Sequence, residues 1–281
     1  MEGHFLTNEL IHDYEEFMIL EEKSKSTIEK YIRDVTSFAT FLHSREVNKQ
    51  VVVEYKQKLI TDGYAPRSVN SMLASINHFF SWQNWYECKV KALKVQQQVF
   101  WPEEKELTKK EYERLCSVAE KNQNKRLSLL IQTICGTGIR VSELVYITVS
   151  AVKNGKAFVS SKGKTRTVFI IKALKKKLIA YAIEHKITAG PIFVTKSGTP
   201  MNRTNIWREM KSICEEAGVD SRKVFPHNLR HLFARVFYSY DKDLAKLADI
   251  LGHESIDTTR IYIISTGKEH RQRMEQLMLV K

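Results

Sequence analysis

Between Asn154 and Ile171 the sequence reads as short β-strands separated by tight turns, whereas on both sides the apolar residues recur at three and four. Alternation marks half-buried strands and a period of about 3.6 marks amphipathic helices, so the chain is held to a helical framework carrying a small sheet. Asn154-Gly155 is a two-residue hairpin signal, and Lys162-Gly163-Lys164 is a second turn that separates Ala157 to Ser160 from the β-rich Arg166 to Ile171. The expectation is a three-stranded antiparallel meander inserted in a helical domain.

The helical part before it is legible in the same way. From Ser26 to Leu42, Ile28, Tyr31, Ile32, Val35, Phe38, Phe41 and Leu42 form one apolar stripe, with Ser24 and Ser26 available as caps. A second stripe runs from Val51 to Ile60 and ends near Gly63; a third begins after Pro66 with Val69, Leu73, Ile76, Phe79 and Phe80. The signal fades from Lys94 to Gln98, and Thr108 with Glu111 opens a new capping pattern. The chain is therefore expected to be mainly α, with an N-terminal helical bundle over residues 1–98 and a mixed α+β domain over 104–281. Its 281 residues allow two cores of ordinary size.

Charge narrows the partners. Against 32 acidic residues stand 45 lysines and arginines, leaving +13, which favours an extended polyanion such as double-stranded DNA. A membrane partner is not expected, because no apolar run approaches the roughly 20 residues of a spanning helix and the start carries no secretory pattern. The expected location is cytoplasmic. Cys88, Cys116, Cys135 and Cys214 are scattered without a CxxC pair, so neither a zinc knuckle nor a disulfide framework is expected.

Four segments of the second domain carry residues able to handle a phosphodiester. Arg140 lies in Thr137-Gly138-Ile139-Arg140-Val141-Ser142-Glu143-Leu144, after a glycine-flexed turn, and Lys162 lies at a hairpin tip. Pro226-His227-Asn228-Leu229-Arg230-His231 places His227 and Arg230 one helical turn apart. Leu251-Gly252-His253 ends one helix, and Tyr262 lies on the next. Each segment alone has a bland reading: a surface arginine, a solvated lysine, a capping histidine, a core tyrosine. His227 and His231 also resemble half a zinc site, but the glutamate of a HExxH motif is absent, so no metal and no cofactor is expected.

Taken together and in this order, the segments resemble the tyrosine recombinase (phage integrase) family, which includes the Xer recombinases. Thr137 to Leu144 matches a TGxRxSEL-like box, His227 to Ala234 a HxLRHxxA box, and Leu251 to Tyr262 the pattern LGHxSIxTTxIY. The resemblance spans nearly the whole chain. It implies a SAM-like, core-binding N-terminal domain and a catalytic C-terminal domain that cuts and rejoins DNA through a 3'-phosphotyrosine. Tyr262 would be the nucleophile, Arg140 and Arg230 the stabilisers of phosphoryl charge, His227 the base and Lys162 the acid. The hairpin is one residue shorter than the family's GKGxKxR, so Lys164 is kept as the substitute for Lys162.

His253 is expected to donate to a phosphate oxygen and to position the helix of Tyr262, with Glu143 and His231 as supports behind the site. Lys25, Lys30, Arg67, Lys164 and Arg203 are candidate DNA contacts. The resemblance further implies a homotetramer on DNA, joined through a C-terminal tail in which Met274, Leu277 and Met278 recur at helical spacing, with accessory DNA-bending proteins as possible partners. The few residues before the first helix leave no room for an arm-binding domain, which points to a simple two-domain recombinase, used for a mobile element or DNA inversion, with chromosome-dimer resolution left open. The competing readings are a type IB topoisomerase and a non-catalytic helix-turn-helix regulator, the latter suggested by Leu244 to Gly252.

Overall fold

The computed structural model describes residues 3–95, 103–161, 164–263, 271 and 274–278. It divides into two compact units, Met1–Gln97 and Gln98–Lys281.

The first unit is a bundle of α1 (Asn8–Leu20), α2 (Lys25–Leu42), α3 (Lys49–Thr61) and α4 (Pro66–Trp82). The caps are those the sequence offers: the Ser24 hydroxyl accepts from the Thr27 amide, Asn48 accepts from Val51, and Pro66 occupies the first turn of α4. Each apolar stripe turns inward, so that Tyr14, Phe38, Tyr55, Phe79 and Phe80 form an aromatic core. Asp34 is buried on α2, and its carboxylate receives the Lys30 ammonium (2.9 Å) and the Ser75 hydroxyl (2.9 Å). Lys30 also donates to the Ser71 carbonyl and the Ser75 hydroxyl. Its three N–H groups are thus taken up at the bundle's surface, where Lys30 buttresses α2 against α4.

In the second unit, α5 (Lys109–Lys121) and α6 (Lys125–Thr137) lead to a 3₁₀ segment, Val141–Tyr146, then α7 (Val149–Asn154), β1 (Lys156–Ser161), β2 (Lys164–Phe169) and α8 (Lys172–Glu184). After a loop come α9 (Arg203–Ser212), α10 (Pro226–Asp241), α11 (Leu244–Leu251) and α12 (Ile256–Ile263). The strands pair antiparallel from Lys156 opposite Phe169 to Ser161 opposite Lys164. Among the described residues the sheet has two strands, not three. Asn154-Gly155 is no hairpin turn: Thr148 caps α7, Val152 is buried, and Gly155 ends that helix at φ +71°. A left-handed residue serves a helix terminus as well as a tight turn, which is why the dipeptide misleads.

The main core of this unit gathers around α6, which packs on α5, α8 and α10. A smaller one, made by Ala234, Leu247, Leu251 and Tyr262, joins α10, α11 and α12. Among the described residues no helix is long and apolar enough to cross a membrane.

Candidate active site

Gly138 ends α6 in the left-handed conformation (φ +64°), and a Cβ there would lie 2.5 Å from Phe233 and 3.0 Å from Leu251. The absence of a side chain lets the end of α6 approach α10 and α11, and the Gly138 carbonyl accepts from Arg230 at 2.6 Å. Gly138→Ala is expected to cost about 2–4 kcal/mol, roughly half from backbone strain and half from displaced neighbours. Urea unfolding is the check; an unchanged midpoint would speak against this packing.

From that turn the chain runs into Arg140, whose backbone N–H donates to Glu143 (2.9 Å). That bond caps the 3₁₀ segment Val141–Tyr146 at its start. The Arg140 guanidinium donates to Glu143 Oε1 (2.8 Å) and to the Gly252 carbonyl (3.0 Å). Glu143 is 2 % exposed. Burial works against its charge, but the Arg140 amide and guanidinium, with Arg166, outweigh that and hold its carboxyl below the usual range.

Arg230 is 1 % exposed, on the inward face of α10. Its guanidinium donates to Gly138 O (2.6 Å), Leu251 O (2.7 Å) and His253 Nε2 (2.8 Å). Burial and the neighbouring charge of Arg140 push its pKa down to about 10, partly offset by the adjacent Tyr262 side chain. Accepting from Arg230 through Nε2 leaves His253 Nδ1 to donate to the Thr259 hydroxyl at 2.7 Å. His253 thus orients Arg230 and holds α12 three residues before Tyr262.

Tyr262 is 6 % exposed and sits among the site's rings. It stacks on His231 at 4.4 Å, lies 5.0 Å from His253 and 5.2 Å from His227, and faces the Arg230 guanidinium at 5.9 Å from its ring centre. The His227 pKa is lowered by burial, then by the charges of Arg230, Arg140 and Arg203, although the residue as a whole keeps solvent exposure. Burial first, then neighbouring positive groups, brings His231 to about 3 and His253 to about 4. At neutral pH the site thus holds uncharged imidazoles between fixed guanidiniums.

The structure therefore brings together Arg140, Glu143, His227, Arg230, His231, His253 and Tyr262. Lys162 lies outside the described residues; Lys164 opens β2, directly beside that turn. Arg203, exposed in the first turn of α9, faces this side closely enough for its charge to act on His227. In the other unit Lys25 is exposed and loosely paired with Glu29 (3.9 Å), and Arg67 is exposed at the start of α4.

Arg166 is the residue that motif reading missed. From β2 it donates to Glu143 (2.6 Å) and to the Ile250 carbonyl (2.7 Å), clasping the hairpin to the Arg140 box and to the end of α11. A Cβ on Gly252 would meet its Cδ at 2.3 Å, so the glycine makes room for the clasp. The available signal was period two: Arg166 shares the inward face of β2 with Val168, where a cation requires a buried acid.

Comparison with known proteins follows this geometry. The chain is 28% identical over 283 residues to tyrosine recombinase XerA of Pyrococcus furiosus, covering 98% of this chain and 96% of that protein. Tyrosine recombinase XerD of Listeria innocua is 26% identical, with 91% of this chain and 93% of that one covered. Among solved structures, a lambda integrase dimer bound to a COC' core site superposes with a TM-score of 0.75 at 17% identity, over 94% of this chain and 97% of that one. XerH bound to palindromic difH substrate in a post-cleavage complex gives 0.74 at 20% identity, over 88% and 79%. At these identities the structural likeness concerns the fold. The N-terminal SAM-like domain of phage integrases matches residues 11–86, and the phage integrase family itself matches residues 105–269, so this chain belongs to the phage integrase family, the tyrosine recombinases.

Proposed function

We propose that the chain is a site-specific DNA recombinase in which Tyr262 attacks a backbone phosphate to give a 3'-phosphotyrosine and a free 5'-hydroxyl. The observation that carries this reading is the gathering of Arg140, His227, Arg230 and Tyr262 from separate segments around one small core. The new P–O bond replaces the one broken, so rejoining by a 5'-hydroxyl needs no ATP. Charge accumulating on the non-bridging oxygens is met by Arg140 and Arg230, whose planar forks are already fixed by carbonyl and carboxylate partners. Because Arg230 is covered by Tyr262, the phenol must swing outward as phosphate enters.

A phenol ionises at about pH 10, so its proton needs an acceptor, which we assign to neutral His227. The leaving 5'-oxygen needs a proton, assigned to Lys162, with Lys164 as the substitute. His253 and Glu143 act as positioning residues for the two arginines, and His231 supports the Tyr262 ring. The test is a DNA substrate that loses a short flanking strand on cleavage, trapping the covalent complex: a denaturant-resistant adduct is expected, and a regulator yields none.

The assignment of His227 gives a pH prediction. Its pKa lies below the ordinary 6.5, so it is unprotonated at neutral pH, and cleavage should fall as acidification protonates it. Single-turnover adduct formation should show an acid limb that flattens, at a rate lowered about 10²–10⁴-fold, in His227→Asn. An identical profile in the variant would remove His227 from the role of base.

We propose that each unit contributes DNA contacts, with Lys25, Lys30, Arg67, Lys164 and Arg203 as candidates and affinity falling steeply with salt. Cytoplasmic action, use for a mobile element or inversion, a homotetramer on DNA and help from DNA-bending proteins belong to the same proposal. A solved lambda integrase tetramer is bound to a Holliday junction. Met274, Leu277 and Met278 are 70%, 61% and 85% exposed in the single chain, which suits a tail that docks on a neighbour. Deleting the chain from Met274 onward should abolish recombination and spare single-site binding; unchanged recombination would reject tail docking.

A further inference from the structure

In the N-terminal unit a second chemical cluster stands apart from the phosphodiester chemistry. His4 pairs with Val47 in a short antiparallel bridge and stacks on Trp85 with ring centres 4.6 Å apart. Its Nε2 lies 2.5 Å from a carboxylate oxygen of Glu87, and the next residue, Cys88, is buried with its thiol donating to the Val47 carbonyl at 3.7 Å. The His4 nitrogen, the Glu87 oxygen and the Cys88 sulfur all fall within 4.8 Å of one another. Glu46 adjoins them: its carboxylate packs so closely on Gly3 that a Cβ there would be 2.8 Å from Oε1. Among the described residues neither Glu46 nor Glu87 pairs with a lysine or arginine.

We propose that His4, Glu87 and Cys88 bind a divalent transition-metal ion of the zinc class. An imidazole, a carboxylate and a thiol suit such an ion, whereas calcium and magnesium require oxygen ligands throughout. The three ligand atoms lie within 4.8 Å of one another, against the roughly 3–4 Å edges of a tetrahedral site with bonds of about 2.0–2.3 Å, and His4 and Glu87 would part from their 2.5 Å contact to admit the ion. Two carboxylates without a lysine or arginine partner among the described residues, beside a thiol, also place negative charge where a cation would neutralise it. Without metal, His4 and Glu87 satisfy each other, and burial followed by the charges of Glu87 and Glu46 raises the Cys88 thiol to about 11. Metal binding would replace the thiol proton and the His4–Glu87 hydrogen bond, releasing the proton to solvent. The ion would join the segment before α1 to the turn after α4.

Cobalt(II) titrated into the untagged full-length protein provides the test, because a thiolate ligand gives an intense near-ultraviolet charge-transfer band. The band is expected in the natural protein and in Cys214→Ser, which removes the other fully buried cysteine. It should vanish in Cys88→Ser, and His4→Ala should weaken cobalt affinity by more than about a hundredfold. Because Cys88 is buried, the half-exposed His4 provides the variant least able to disturb folding, with circular dichroism confirming the fold. No band in the natural protein, a band that survives Cys88→Ser, or affinity unchanged by His4→Ala would each overturn the proposal.

Discussion

Tyr262→Phe is expected to bind DNA as tightly as the natural protein and to lower covalent adduct formation by at least about 10⁴-fold. The change removes one oxygen and leaves the ring, and it is the ring that packs with Ala234, Leu247 and Leu251 and stacks on His231 at 4.4 Å. Stability should therefore hold, which separates loss of the nucleophile from loss of the fold. The chain has 11 tyrosines, and Tyr262 is the one set against Arg230, His227 and His253 together. Electrophoretic mobility shift measures binding, and denaturing gels of a trapped substrate measure the adduct. Adduct formation by the variant at more than about a hundredth of the natural rate would move the nucleophile elsewhere.

Arg230→Lys should also lose cleavage, by about 10³-fold, for two separable physical reasons. The guanidinium spans the Gly138 carbonyl, the Leu251 carbonyl and His253 at once, and an ammonium cannot reproduce that planar fork. Charge itself is the second reason. Burial and Arg140 already bring Arg230 down to about 10 from 12.5. A lysine starts from about 10.4, so the same surroundings bring it toward neutrality near physiological pH. Cleavage by the lysine variant should therefore recover in part as pH falls, until protonation of His227 takes over. Single-turnover rates between about pH 6 and 9, with affinity measured in parallel, distinguish the two contributions. A variant that cleaves within tenfold of the natural rate would show that Arg230 is not the group facing the phosphate.

The helical bundle is written in the sequence because its stripes are local: Val35, Phe38 and Leu42 share a face of one helix whatever surrounds them. The four segments are legible for a different reason, since each keeps its chemistry within about a dozen consecutive residues. What the sequence conceals is contact across long separations. Lys30 looks like a surface cation until Ser71 and Ser75, from another helix, fill its remaining N–H groups. Arg166 looks like an ordinary strand residue until Glu143 and Ile250 meet it from opposite directions. Likewise, that His253 accepts from Arg230 while donating to Thr259 follows from packing, because no spacing rule decides which way an imidazole turns. The Asn154-Gly155 error has the same origin: the left-handed glycine was foreseeable, but whether a strand or a helix ends on it depends on Val152 finding the core.

The direct test of the convergence of Arg140, Arg230 and Tyr262 on one phosphorus is to digest the trapped protein–DNA complex with protease and identify the DNA-linked peptide by mass spectrometry. The account predicts a single peptide carrying the DNA 3'-phosphate on the oxygen of Tyr262, with a free 5'-hydroxyl on the released strand. DNA attached to any other residue, or linked through a 5'-phosphate, would contradict it.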